Sequence, residues 1–479
     1  MNGIRGVLIG SIMRTAFAAL AWHAASVGAQ DGVLDPTFGS GGIVEIPWPA
    51  GSAEGNAIGI APQGKIIIGG HAIGAFGDSD FTLFRLSPNG AVDPTYAADA
   101  GGFRLIDFNL DGIGSYSDDL IDDLALYPDG SVLALGEAHF GFFGVNSQFA
   151  LTRLDSGGTL DSTFGDDGSA HFASGSFSNI DYGRLLRIDD QQRILAVGMI
   201  AEPSTDVPGS LRWWLGFSRL TAQGQFDSSF YNEGFYFTFF WSDPTIPPPR
   251  HSDFNSPLAV ALDDSSRILS AGYVENPIAP GGAVYRAPVD GGFDPTFGLN
   301  SRIQLELSGG QASALRPLPG GAFLVAGGYA TGSNTYAIYL ARRLTDGSPD
   351  VTFGEQGMVS LPMTDAYPEP SLIEKTRDGG WLVAGRLTAP YADGMGVVLA
   401  RFTAQGQPQT SFGAGGLVVI DANDGRHFTA GRAAMQDDGK LVIAGHLANS
   451  LDDSTPHFAI LRILADFDTL FVNGFDGAP

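Results

Sequence analysis

The chain has 479 residues, 44% hydrophobic and 11% aromatic, with Gly 67 and Pro 28. Its 26 basic and 52 acidic residues leave a formal charge of −26, which repels nucleic acid and anionic membrane surfaces, so no nucleic-acid partner is expected. Cysteine is absent, which excludes disulfides, thiolate metal sites, thiol nucleophiles and a lipid-modified cysteine.

Residues 1–29 read as a secretory signal peptide. Arg5 and Arg14 supply positive charge, Thr15 to Val27 is small and apolar, and Val27-Gly28-Ala29 offers a cleavage site before Gln30. The apolar run is short for spanning a bilayer, so no transmembrane segment is expected after cleavage, and an uncleaved anchor is the alternative. The expected location is secreted: extracellular, periplasmic or at the cell surface.

From Asp31 the chain repeats. Leu34-Asp35-Pro36-Thr37-Phe38-Gly39 is a turn, and Gly42 to Ile46 a short strand. Ala57 to Ile60 is a second strand, and the turn Pro62-Gln63-Gly64 leads to a third, Lys65 to Ile68, which stops at Gly69-Gly70. Phe81 to Leu86 alternates as a fourth strand and ends at Pro88-Asn89-Gly90. Later units copy this order. Arginine recurs at Arg85, Arg153, Arg219, Arg286, Arg342, Arg401 and Arg462, and glycine after an apolar run at Gly70, Gly136, Gly198, Gly272, Gly327, Gly385 and Gly445. Aromatic anchors Tyr96, Phe164, Phe230, Phe297, Phe353 and Phe412 each follow an arginine by eleven residues, and Phe38 opens the series.

Four strands in each of seven units predict an all-β, seven-bladed β-propeller with four-stranded antiparallel blades over residues 30–466. The motifs D-x-T-F-G, G-K-L-V-I-A-G (Gly439 to Gly445) and F-A-I-L-R (Phe458 to Arg462) resemble the delta-60 repeat family from Asp31 to about Leu464. That resemblance implies a bacterial exported β-propeller and assigns it no biochemical role. Departures are Tyr96 for Phe, Gln409 for Asp, and the weak strand Val284-Tyr285-Arg286-Ala287.

An aspartate follows five of the arginines by eight residues, at Asp93, Asp161, Asp227, Asp294 and Asp350, with Gln409 in the sixth place. Guanidinium and carboxylate are expected to pair bidentately and lock turn to strand, so the seven arginines read as structural. Gly42 to Ile46 precedes the first inner strand. It is therefore expected to complete the last blade beside Phe458 to Ile463, with Arg462 paired to Asp35. The competitor for Arg462 is the C-terminal turn Asp468 to Gly474. Residues 467–479 form a tail that also resembles a short sorting motif of exported bacterial proteins.

Arginine-to-anchor spacing is fixed, whereas glycine-to-arginine spacing runs from 14 to 21 and anchor-to-glycine spacing from 30 to 42. In a four-stranded blade the two variable intervals emerge on one face, so insertions and function are expected there. Unit two carries a calcium-loop pattern: Asp107, Asn109, Asp111, the backbone of Ile113, Ser115 and Asp118, with Gly112 at the turn. Aspartate in the twelfth place and the absence of flanking helices weaken it, and an acidic solvated turn is the alternative. Trp213, Tyr236 and Trp241, near the insertions of units three and four, are candidate sugar-stacking residues, with core packing as the alternative. The residue after the repeat glycine varies, and His71, Tyr273 and His446 are candidate ligand contacts among these positions.

No H-E-x-x-H, G-x-S-x-G or phosphate loop occurs, so no catalytic residue is assigned. The sequence reads best as a monomeric, non-enzymatic binding module for a glycan or protein, with calcium as the one candidate cofactor. The alternative is a propeller-fold hydrolase or lyase acting on glycans.

Overall fold

The computed structural model describes residues 31–110, 118–141, 146–173, 180–203, 211–238, 255–274, 280–388, 396–421, 426–449 and 455–465. Residues 1–29, expected as a signal peptide, the tail at 467–479 with the turn expected at 468–474, Trp241, and Asp111, Ile113 and Ser115 of the expected calcium loop lie outside these residues. Among the described residues no helix is long and apolar enough to cross a membrane.

Strands fall into seven sheets. Blade 1 pairs Ala53–Ala61, Lys65–Ile73, Ser79–Leu86 and Phe103–Ile106 in chain order, all antiparallel. The first strands of the other blades are Asp119–Leu126, Asp181–Ile188, Asn255–Leu262, Ala314–Pro317, Tyr367–Lys375 and His427–Met435. Each packs against the first strands on either side, and His427–Met435 returns to Ala53–Ala61. First strands are therefore innermost, and the array closes as a seven-bladed propeller.

Second and third strands read as nearly continuous apolar runs because blades stack face to face and bury both sides of each strand. Ile66, Ile68, Phe84, Val442, Phe458 and Ile460 share one such layer between blades 7 and 1. Blade 7 has three strands from the C-terminal region, and Val33–Leu34 with Ile43–Ile46 supply its outer edge. Ile43 lies opposite Leu461 and Ile46 opposite Phe458, so the two ends of the chain complete one sheet, as the sequence predicts.

The recurrent arginines sit where this stacking is tightest. In six blades Nε donates to the aspartate at 2.7–2.9 Å, including Arg462 to Asp35 across the closure. The pairing is not the expected two-oxygen fork. The other carboxylate oxygen is taken by the Thr or Ser two residues on, which donates from both its hydroxyl and its backbone N–H, as Thr95 does to Asp93 at 2.6 and 3.0 Å. Nη2 donates to the same hydroxyl at 2.9–3.3 Å.

A third contact crosses between blades. Nη1 of Arg85, Arg153, Arg219, Arg286 and Arg462 donates to the carbonyl of Ser156, Ala222, Val289, Thr345 and Pro88, each in the neighbouring blade's turn. The guanidinium also lies 4.5–5.2 Å over the anchor ring in these blades and in blade 5. That ring in turn packs on the next blade's turn glycine, as Phe297 does on Gly347. Blade 6 departs because Gln409 replaces the aspartate. There Arg401 Nη1 pairs instead with Asp31 at 2.5 Å, and Gln409 donates to Asp378 at 3.0 Å.

These clips and the first-to-second strand turns share one face, as Lys65 shows by reaching Asp93 at 3.0 Å. The opposite face carries the variable connections, where Ser79 N–H donates to Asp118 at 2.9 Å and Phe108 N–H to Asp119 at 2.8 Å.

Candidate functional site

Second strands do not stop at the repeat glycine; Lys65–Ile73 runs through Gly69-Gly70. The reason lies on the facing inner strand. A Cβ at Gly70 would stand 1.9 Å from the Glu54 carbonyl, and at Gly136 1.8 Å from that of Leu120. The glycine leaves room for a β-bulge, which adds one residue to the inner strand and re-aims its side chain.

Register breaks of this kind occur between Gly55 and Ala57, Ile121 and Asp123, Gly183 and Leu185, Pro257 and Ala259, Pro370 and Leu372, and Ala430 and Ala433. The residues inside the breaks are Asn56, Asp122, Arg184, Leu258, Ser371 and Gly431 with Arg432. All of them line one cavity of about 370 Å³ on the propeller axis, to which blade 5 adds Gln311 and Ser313. Single-sequence reading missed this ring. Its signal is a fixed offset of 14 residues before each repeat glycine, occupied by Asn56, Asp122, Arg184, Leu258, Ser313, Ser371 and Gly431. The changing residue types hide that constancy.

The cavity is chemically lopsided. Blades 2, 3 and 7 bring a charged network: Arg184 to Asp122 at 2.8 Å, Arg187 to Asp123 at 3.2 Å and Arg432 to Asp123 at 3.2 Å. Blade 6 adds Arg386 held by Glu369. Blades 4 and 5 present Ser256, Leu258, Gln311 and Ser313. In a chain with twice as many acids as bases, the arginines gathered here make the cavity a mixed-charge island. Burial pushes the Asp122 carboxyl above its ordinary range, with the Arg184 charge opposing the shift and Glu137 adding to it. Burial likewise raises the Tyr182 hydroxyl, so it is no base at neutral pH.

The variable position after the repeat glycine does reach this region: Met199 and Arg386 line the cavity, and Glu137 lies 3.8 Å from Arg184. His71 and His446 flank Glu54, and Tyr273 pairs across to the cavity residue Ser256. Trp213 stacks on Tyr182, centroids 5.3 Å apart and 15° from parallel, and Arg184 lies 5.1 Å over Tyr182. Tyr236 lies elsewhere. It packs on Phe217 and Tyr285 between blades 3 and 4, and its hydroxyl accepts from Tyr285 at 2.9 Å, toward the clip face. This is the core-packing alternative of the sequence reading, because its strand position faces a neighbouring blade.

Of the calcium-loop residues, Asp107 accepts from Asn109 N–H at 2.8 Å, and Asp118 accepts from Ser79. Asp78, Asp80 and Asp119 crowd the same corner. Burial, reinforced by the Asp107 and Asp78 charges, pushes Asp80 up to about 7. Burial also pushes Asp119 up to about 8, with Asp107, Asp80 and Asp78 adding to it against the Phe108 hydrogen bond.

A family model described as a β-propeller domain of unknown function (DUF5122) matches residues 61–96, 128–164, 324–353 and 436–466. No curated protein matches the chain. Among solved structures, a polysaccharide lyase of family PL25, an ulvan lyase, is 10% identical with a TM-score of 0.43, covering 92% of this chain and 96% of its own. A catalytically inactive virginiamycin B lyase from Staphylococcus aureus is 10% identical with a TM-score of 0.41, covering 88% and 98%. YCF48 from Cyanidioschyzon merolae is 7% identical with a TM-score of 0.40, covering 88% and 98%. At such TM-scores these likenesses bear on neither ligand nor activity. Sheets and family model together identify a seven-bladed β-propeller whose repeats match this family in four segments.

Proposed function

We propose that the chain is an exported binding module of delta-60 type that holds a polar ligand, a glycan before a protein, at the axial cavity. One observation carries this: inner strands break register at a common level and turn the broken residues into a single cavity. Bulges that converge from separate blades re-aim side chains toward a shared occupant. Paired arginines and carboxylates offer donors and acceptors without bare charge, which suits hydroxyl-rich ligands. Trp213 is the candidate sugar contact, stacked on Tyr182, whose ring carries the cavity residue Arg184.

A glycan array run with the mature chain, beside a hydrolase and lyase substrate panel, tests the reading. The expected result is binding without turnover, weakened by Trp213→Ala. Absence of any bound glycan would sink the glycan assignment. One observation favours cleavage instead: the raised carboxyl of Asp122 faces the cavity and is a candidate proton donor. Turnover lost in Asp122→Asn would establish that second reading.

Export rests on the leader pattern of residues 1–29, and N-terminal sequencing of secreted material beginning at Gln30 checks it. Calcium is proposed for the loop of Asp107, Asn109, Asp111, Ile113, Ser115 and Asp118, supported by the crowding of carboxylates around Asp119. Calorimetry showing no heat at millimolar calcium would remove it.

A further inference from the structure

Of the residues that follow the repeat glycines, two are histidines, His71 in blade 1 and His446 in blade 7. Those blades meet at the seam where the ring closes. Glu54, on the inner strand of blade 1, stands between them, its Oε2 3.5 Å from His446 Nδ1 and 3.9 Å from His71 Nε2. The three side chains keep 16%, 14% and 32% exposure for His446, His71 and Glu54, so the group is sheltered but reachable. His446 Nδ1 is buried and makes no hydrogen bond among the described residues.

We propose that His71, His446 and Glu54 form a binding site for a borderline divalent transition-metal ion of the zinc class, bridging the first and last blades. Two imidazoles and one carboxylate select such ions over calcium or magnesium, which take oxygen ligands. A tetrahedral ion with bonds of ~2.0–2.1 Å holds its ligand atoms about 3.4 Å apart. The two carboxylate-to-imidazole separations exceed that by at most about half an ångström, so both histidines and the carboxylate must close in for coordination. As the structure stands, no group of three or more His, Cys, Asp or Glu side chains among the described residues is placed to hold a metal ion, so this site requires the three side chains to close together on binding.

Coordination through His71 Nε2 requires the proton on Nδ1. That gives up only a 3.5 Å contact from Asn56, whose amide keeps its 3.0 Å bond to the Ile121 carbonyl. Burial lowers both imidazoles, with Glu54 opposing, so the ion meets them neutral at pH 7. Three protein ligands leave one position open for water or a ligand oxygen. Because the donors come from two blades, the bound ion ties the seam and must raise thermal stability by mass action.

The test is zinc titration of the mature chain by calorimetry and thermal melting, with calcium and magnesium in parallel, for the parent and for His71→Asn, His446→Asn and Glu54→Gln. One zinc per chain and a higher Tm are expected in the parent, with affinity falling at least about 100-fold in each variant, since even outer-shell losses cost 10–100-fold. His171→Asn, on the far edge of blade 2, should bind as the parent does. No zinc-dependent change in the parent overturns the proposal, as does parental affinity in Glu54→Gln or His446→Asn. If a histidine variant unfolds, Glu54→Gln carries the comparison, its circular dichroism being checked first. A stronger shift with calcium, lost in the same variants, refutes the metal class.

Discussion

Arg462→Ala tests how the ring is held shut. Arg462 is 4% exposed and Asp35 2%. The arginine reaches Asp35 at 2.9 Å, Thr37 at 3.2 Å and the Pro88 carbonyl, and lies 4.5 Å over the Phe38 ring. Exposed ion pairs contribute about 0–1 kcal/mol, but removing one partner of a buried pair costs about 3–5 kcal/mol because the other charge stays behind. The buried figure governs here. Arg342 makes the analogous contacts to Asp350, Thr352 and Phe353 with its side chain 25% exposed, and should cost no more than about half as much. Equilibrium denaturation of both alanine variants measures the difference.

Arg462→Met with Asp35→Asn should recover much of the loss, because no charge is stranded. For pH the sign is set by Asp35. Burial alone would raise its carboxyl, but the two hydrogen bonds from Thr37 and the Arg462 and Lys440 charges hold it below the ordinary value. A depressed folded value means stability present above the unfolded value of about 3.9 and lost as pH falls through the folded one. The Arg462→Ala deficit should therefore shrink below about pH 4. A deficit under about 1 kcal/mol at pH 7, or one equal to that of Arg342→Ala, would refute the closure clip.

Deleting residues 31–48 removes the outer edge of blade 7 and should lower the thermal midpoint sharply; an unchanged melt would count against closure through this segment. Gly347→Ala places a methyl 2.6 Å from Ile303 and 3.0 Å from Phe297 at a φ of +87°, so a loss of about 1–3 kcal/mol is expected by denaturation. Asp119→Asn should stabilise more at pH 8.5 than at pH 5. A raised carboxyl gives its stability below the unfolded value and forfeits it as pH climbs through about 8, a loss that asparagine avoids, and a pH-independent difference in melting would contradict this.

The sequence stated the repeat openly because clips and anchors recur as residue types at fixed spacing. The Arg85-to-Tyr96 spacing is legible in six units for the same reason that arginine, aspartate and anchor ring pack alike in blades 1 to 5. Closure was legible too, since Asp35 has no upstream arginine and Arg462 no downstream aspartate at the right distance. Tyr236 and Trp213 looked alike in sequence, yet one packs between blades and the other stacks beside the cavity. Only blade-to-blade packing separates them.

The repeat glycine shows the same division. As a letter it marks the end of an apolar run. In the fold it is the cavity-making partner of a bulge, because a Cβ there would collide with the opposite carbonyl. What lies 14 residues upstream changes from Asn56 to Asp122 to Arg184, so no residue type repeats and no motif is visible. Local chemistry, repeated, determined the blades, the clips and their number. Convergence on the axis was left to the tertiary structure, because it brings together residues from seven blades that lie far apart along the chain.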